Sequence, residues 1–91
     1  MNYQFEFDEN KSKSNKQKHG IDFIKIQAIW EDSDRVEIPA RTEDEPRYLI
    51  IGKIENIMWS VIITYREDQI RIISARRSRE REVIIHESKR I

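Results

Sequence analysis

The sequence predicts an α+β fold, a small antiparallel sheet with helices packed on one face, and three observations predict it. Two stretches, each opened by an aspartate able to cap a helix, lie between a short N-terminal strand pattern and Val36. From Val36 to Ala75 the hydrophobic period drops from 3.6 to 2. Beyond Ala75 the alternation stops and a last helical stretch follows. At 91 residues the chain is expected to form one domain, residues 1–91, with a modest core.

Met1 to Phe7 alternates Tyr3, Phe5 and Phe7 with Asn2, Gln4 and Glu6, the pattern of a short strand with one buried face. Asp8 offers an acceptor to the free N–H groups of a first helical turn, and His19-Gly20 supplies a stop. Between them, Glu9 to Lys18 contains no apolar residue, so pattern alone leaves helix and loop equally open. After the Asp22 cap, Phe23, Ile26, Gln27 and Trp30 share a helical face flanked by Ile24 and Ile29, which predicts an amphipathic α-helix ending near Trp30. Arg35 to Ile38 reads as a strand, with Pro39 marking an edge or an end. Arg41 to Pro46 is an acidic loop. Arg47 to Ile54 is a strand in which Gly52 suggests a bulge, and Glu55-Asn56 connects it to Ile57–Tyr65. Arg66 to Gln69 turns and Ile70 to Ala75 returns. The last strands are apolar on both faces and so belong at the centre of the sheet. Trp59 and Tyr65 share one face and read as core residues rather than as a platform for stacking unpaired bases. Ser78 is the expected cap of a final helix whose thin apolar content predicts loose packing or a partner.

Lys and Arg number 17, as do Asp and Glu, so the formal net charge is zero, but the signs are segregated. Lys11, Lys13, Lys16, Lys18 and Lys25 make the opening basic. Glu31, Asp32, Asp34, Glu37, Glu43, Asp44 and Glu45 make the middle acidic. Arg66, Arg71, Arg76, Arg77, Arg79 and Arg81 crowd the end. A polyanion fits the first and third clusters if folding joins them. No cysteine is present and the two histidines, His19 and His86, stand far apart, so neither a metal nor another cofactor is expected. No apolar run approaches the roughly 18 residues a spanning helix needs, and the expectation is a cytoplasmic protein without membrane contact.

Three stretches together resemble the BrnT family of small bacterial toxins. The first is Phe5-Glu6-Phe7-Asp8 followed by Asn15, Lys18-His19-Gly20 and Phe23. The second is Arg47-Tyr48 with Ile51-Gly52. The third, Arg71-Ile72-Ile73-Ser74-Ala75-Arg76-Arg77, is similar to the family's Arg-Ile-Ile-Ser-Ala-Arg signature, with Glu82 at the place of its downstream Glu. Ser78-Arg79 departs from a usual Ala-Thr pair and His86 from a usual Tyr. The resemblance implies a RelE-like antiparallel sheet with two N-terminal helices and one C-terminal helix, which favours the helix over the loop for Glu9–Lys18. It also implies an endoribonuclease of a type II toxin–antitoxin pair that inhibits translation and growth. The implied partners are an RNA substrate and a BrnA-like ribbon-helix-helix antitoxin, through which operator DNA is bound.

Cleaving RNA without a metal requires activating the 2′-hydroxyl, stabilising charge on the phosphoryl oxygens and protonating the 5′-oxygen. Arginine suits the second task, because its planar fork holds phosphate bidentately and stays charged. Arg71, Arg76 and Arg77 are the leading catalytic candidates, with Arg76 and Arg77 expected beyond the strand end, and a structural salt bridge to Glu82 or Asp8 is the competing role of each. His19 is a candidate acid or base, since imidazole titrates near neutrality, or else a helix C-cap. Lys18, Arg66, Arg79 and Arg81 are candidate RNA contacts. A non-catalytic module that binds nucleic acid or protein through the same basic surface is the alternative.

Overall fold

The computed structural model describes residues 3–41 and 44–88. Met1 and Asn2 of the predicted first strand, and Glu43 of the acidic loop, lie outside the described residues. In chain order the elements are β1 (Phe5–Glu6), α1 (Glu9–His19), a 3₁₀ helix (Lys25–Glu31), β2 (Val36–Ala40), β3 (Arg47–Ile54), β4 (Ile57–Arg66), β5 (Gln69–Arg77) and α2 (Glu80–Ser88).

The five strands form one sheet in the order β1-β5-β4-β3-β2. Strands β2 to β5 make an antiparallel meander with two-residue connections at Glu55-Asn56 and Glu67-Asp68. The expected antiparallel sheet is instead mixed, because β1 pairs parallel to β5, Phe5 against Ile70 and Glu6 against Arg71. Parallel pairing needs a long crossover, and here the two helices and the rest of the meander supply it. Strand β2 is the edge that Pro39 announced.

Helix α1 forms although it has no apolar stripe, because its buried face is polar and fully bonded. Asp8 Oδ1 accepts from the N–H groups of Asn10 and Lys11 at 2.8 and 3.1 Å, and Gly20, at φ +81°, ends the helix by donating to the Lys16 carbonyl at 2.9 Å. On the inner face Ser12 Oγ accepts from Phe23 N–H at 2.9 Å. Asn15 donates to the Ile21 carbonyl at 2.9 Å and accepts from Ala75 N–H at 3.2 Å.

The second predicted α-helix is a 3₁₀ helix. Asp22 Oδ1 accepts from the N–H groups of Ile24 and Lys25, and Phe23, Ile26 and Ile29, spaced by three, are all buried. Three residues per turn aligns that spacing better than 3.6 does, and it leaves Ile24 66% exposed. These residues pack with Trp30 on Ile50, Trp59, Val61 and Ile63. Gly52 sits in regular register opposite Trp59, so the bulge expected there is absent; a Cβ at Gly52 would stand 3.0 Å from the Ile29 Cβ. The irregularity lies in β5, where Ile73 is skipped between the pairs Ile62–Ser74 and Ile63–Ile72. It moves Ala75 onto the core face and turns Ser74 outward, reversing the simple alternation.

Helix α2 occupies the other face. Ser60 alternates with Trp59 and Val61 and so points away from that core, and it is Ser60 that meets α2. The expectation of helices on one face alone is therefore corrected: α1 and the 3₁₀ helix cover one side of the sheet and α2 the other. Tyr65, expected in the core, is 46% exposed and meets Tyr48 in a tilted ring contact near the far end of the sheet, its hydroxyl donating to Glu37 at 2.6 Å.

Candidate nucleic-acid interface

Strand β5 runs through Arg77, so Arg76 and Arg77 lie within it rather than past its end. Successive strand residues point to opposite faces, and this separates the two. Arg77 stands opposite Trp59, its guanidinium 5.9 Å from the ring centroid. Arg76 stands opposite Ser60 and turns to α2, donating to both carboxylate oxygens of Glu82 at 2.8 Å and to the Arg77 carbonyl at 3.1 Å.

Glu82 gathers the local polar groups. It is 7% exposed, and its Oε1 also accepts from Ser60 Oγ and from Arg79 N–H, both at 2.9 Å. Since the single Ser60 proton goes to Glu82, the 2.7 Å contact between Ser60 and Ser78 has Ser78 as donor. Ser78 is thus not the helix cap it was expected to be. Helix α2 starts at Glu80, and Glu82 reaches back to the Arg79 N–H, one half of a capping box. The bond from Arg76 holds the Glu82 carboxyl at about 2, below its ordinary 4.5, against a burial that would raise it; the Arg79 N–H and Ser60 add to the effect. The same bond raises the pKa of Arg76.

The far end of α2 is held in the same manner. His86, 1% exposed, meets Asp32 Oδ2 through Nε2 at 2.9 Å, and Asp32 also accepts from the N–H groups of Lys53 and Asp34. Burial works to raise the Asp32 pKa, but the His86 bond and the two backbone donors outweigh it and bring the carboxyl below its usual range. Helix α2 therefore buries two polar side chains one turn apart and exposes Ile84 and Ile85.

The remaining candidates divide by position. The side chains of Arg77, Arg79 and Arg81 are exposed and hold no ion pair among the described residues. A hollow of about 550 Å³ is lined by Arg79, Glu80, Arg81, Glu82 and Ile84, and a separate one of about 340 Å³ has Arg77, Ser78, Lys53 and Glu87 in its lining. Arg71 lies opposite Thr64, five β4 residues from the partner of Arg77, or roughly 17 Å away, and pairs with Glu6 at 3.5 Å. Arg66, farther still along β4, pairs with Glu45 at 3.6 Å. Lys18 and His19 are exposed in the last turn of α1, one turn beyond the Asn15 that is bonded to Ala75. The His19 side chain makes no hydrogen bond among the described residues; Gly20 closes the helix. No group of three or more His, Asp or Glu among the described residues is arranged to hold a metal ion, and no described helix is long and apolar enough to cross a membrane.

Residues 7–82 match the family model described as the ribonuclease toxin, BrnT, of type II toxin–antitoxin systems. The chain belongs to the BrnT family. The BrnT match takes in the signature arginines, the β5–α2 corner and Glu82, and it stops short of His86. No curated protein matches the chain. Sequence reasoning passed over Ser60 in this BrnT chain, read Ser78 only as a helix cap and Asp32 only as part of the acidic segment, and weighed Glu82 only as a salt-bridge partner. The available signal was in α2, where Glu82 and His86 are four apart and the isoleucines fall on other faces, a helix patterned to bury its polar side.

Proposed function

We propose that this BrnT chain, acting as a single domain over residues 1–91, is a growth-inhibiting toxin and an endoribonuclease that cleaves RNA without a metal ion in the cytoplasm. The observation that carries this reading is the β5–α2 corner. Arg77, Arg79 and Arg81 are exposed there without ion-pair partners among the described residues, on backbone that is pinned by hydrogen bonds. When a 2′-hydroxyl attacks the adjacent phosphorus, negative charge grows on the phosphoryl oxygens, and fixed guanidinium donors stabilise it. Arg77 is the leading phosphate ligand, flanked by Arg79 and Arg81. Lys18 at the end of α1 and Arg66 at the far end of β4 serve as outlying contacts. Arg71 and Arg76 are catalytic candidates already engaged by Glu6 and Glu82, and His19 is the candidate proton carrier. A RelE-like architecture and neutralisation by a BrnA-like ribbon-helix-helix antitoxin, which carries the pair to operator DNA, complete the reading.

Purified protein incubated with RNA, with and without ribosomes and in the presence of EDTA, is expected to yield fragments ending in 2′,3′-cyclic phosphate. Intact RNA under all these conditions refutes the enzyme. The engagement of Arg71 and Arg76 favours one alternative, a non-catalytic module; it predicts salt-sensitive RNA binding without turnover. Copurification with the product of a neighbouring ribbon-helix-helix gene tests the antitoxin.

A further inference from the structure

We infer that Glu82 is a positioning residue: by tying Arg76 and the first turn of α2 to β4, it fixes the backbone that carries Arg77, Arg79 and Arg81, the exposed arginines of the corner, without touching RNA itself. The inference rests on the reading of that corner as the RNA-contact surface. Oxygen Oε1 of Glu82 accepts from three elements at once, Ser60 of β4, Arg76 of β5 and the Arg79 N–H before α2, and Oε2 takes the second Arg76 donor. A carboxylate with four donors has filled most of its acceptor sites and is 7% exposed, so it is poorly disposed to take a proton from a substrate hydroxyl. Its proton affinity points the same way, being held at about 2 by the Arg76 bond.

The rest of the corner explains why one side chain has such reach. Between β5 and α2 the Arg77 carbonyl, the Ser78 N–H and the Arg79 N–H are each bonded, and the first and third of these bonds run through Arg76 or Glu82. Helix α2 has no apolar stripe to seat it, since Ile84 and Ile85 face outward. Its N-terminal end therefore lies where Glu82 holds it, and Arg79 and Arg81 lie there with it.

The test measures binding of a 2′-O-methyl RNA oligonucleotide, which lacks the attacking hydroxyl, across a salt series. Wild type, Glu82→Gln, Arg77→Ala and the double variant are compared, each checked for folding by circular dichroism at low temperature. Glu82→Gln is expected to weaken binding by about 10-fold and to lower the slope of log affinity against log salt by about one. The double variant should lose less than the product of the two single losses, because Glu82 acts partly through Arg77. Unchanged affinity and slope in folded Glu82→Gln overturn the inference. So does tighter binding, which would mean that Glu82 masks Arg76 from phosphate. If Glu82→Gln does not fold, Arg76→Lys keeps both charges but loses the fork, and an affinity within about 1.5-fold of wild type would then refute the inference. A wild type that fails to bind the oligonucleotide refutes the RNA reading itself, whereas binding indifferent to Glu82 refutes only the positioning role.

Discussion

Glu82→Gln preserves shape and removes one charge, which makes it a clean probe of what the buried ion pair contributes to folding. The carboxyl falls from 4.5 to about 2 in the folded protein, a drop of roughly 2.5 units, and each unit corresponds to about 1.36 kcal/mol. The ionised form therefore contributes on the order of 3 kcal/mol, at the lower end of the ~3–5 kcal/mol typical of breaking a buried pair. A group whose pKa is depressed on folding contributes above its unfolded pKa and loses that contribution as pH falls through the folded value. The gap between wild type and variant should thus be about 3 kcal/mol at pH 7, begin to narrow below 4.5 and nearly close by about 2. Asp32 loses its own contribution in the same acid range, but it does so in both proteins and cancels. Urea denaturation followed by circular dichroism at stepped pH gives the gap directly, and at pH 7 Tm should drop by more than about 10 °C. A gap below about 1 kcal/mol at pH 7, or one that stays constant into the acid range, would show that the Arg76–Glu82 bond does not hold α2.

Asn15→Leu keeps the volume but strands the Ile21 carbonyl and the Ala75 N–H, so stability should fall by about 2 kcal/mol; near-wild-type urea stability would count against the polar docking of α1. Gly52→Ala places a methyl 3.0 Å from the Ile29 Cβ and should cost about 1–3 kcal/mol, read as a lower Tm; an unchanged Tm would mean that the 3₁₀ helix yields freely. Asp32→Asn should destabilise more at pH 7 than in acid, because the carboxyl it replaces is held below its usual range; an equal loss at both would remove Asp32 as an anchor of α2. Arg77→Ala should lower RNA cleavage by at least about 10-fold with Tm nearly unchanged, since the side chain is exposed and unpaired, and full activity would move the phosphate site elsewhere.

The meander was legible because Val36 to Ala75 alternates, and the caps at Asp8 and Gly20 and the turn closed by Asp22 were legible because their side chains or φ preference act locally. Two features of the fold were not. The three-residue spacing of Phe23, Ile26 and Ile29 suits a 3₁₀ helix, yet Trp30 and Gln27 also satisfy 3.6, and only packing over Gly52 separates the two. Skipping Ile73 in the pairing of β5 leaves no mark on an unbroken run of apolar and small residues, so the outward Ser74 and inward Ala75 were reversed. The site followed the same rule. Alternation alone sends Arg76 and Arg77 to opposite faces once both lie in the strand, but which of them would meet a carboxylate depended on α2 docking on the second face. A helix with outward isoleucines gave no hydrophobic signal for that docking.

The parallel pairing of β1 with β5 bears on how this protein comes into being. Phe5 has no strand partner until Ile70 exists, and Asn15 waits for Ala75, so the N-terminal elements are stabilised by residues made late in synthesis. Helix α1, without an apolar face, has until then only its polar bonds to the Ile21 carbonyl and the Phe23 N–H. Contacts spanning that much of a 91-residue chain slow folding and keep it cooperative. A nascent chain lacking β5 therefore lacks the Ala75 bond to α1, and the arginine corner, built from β5 and α2, cannot assemble until both have been made.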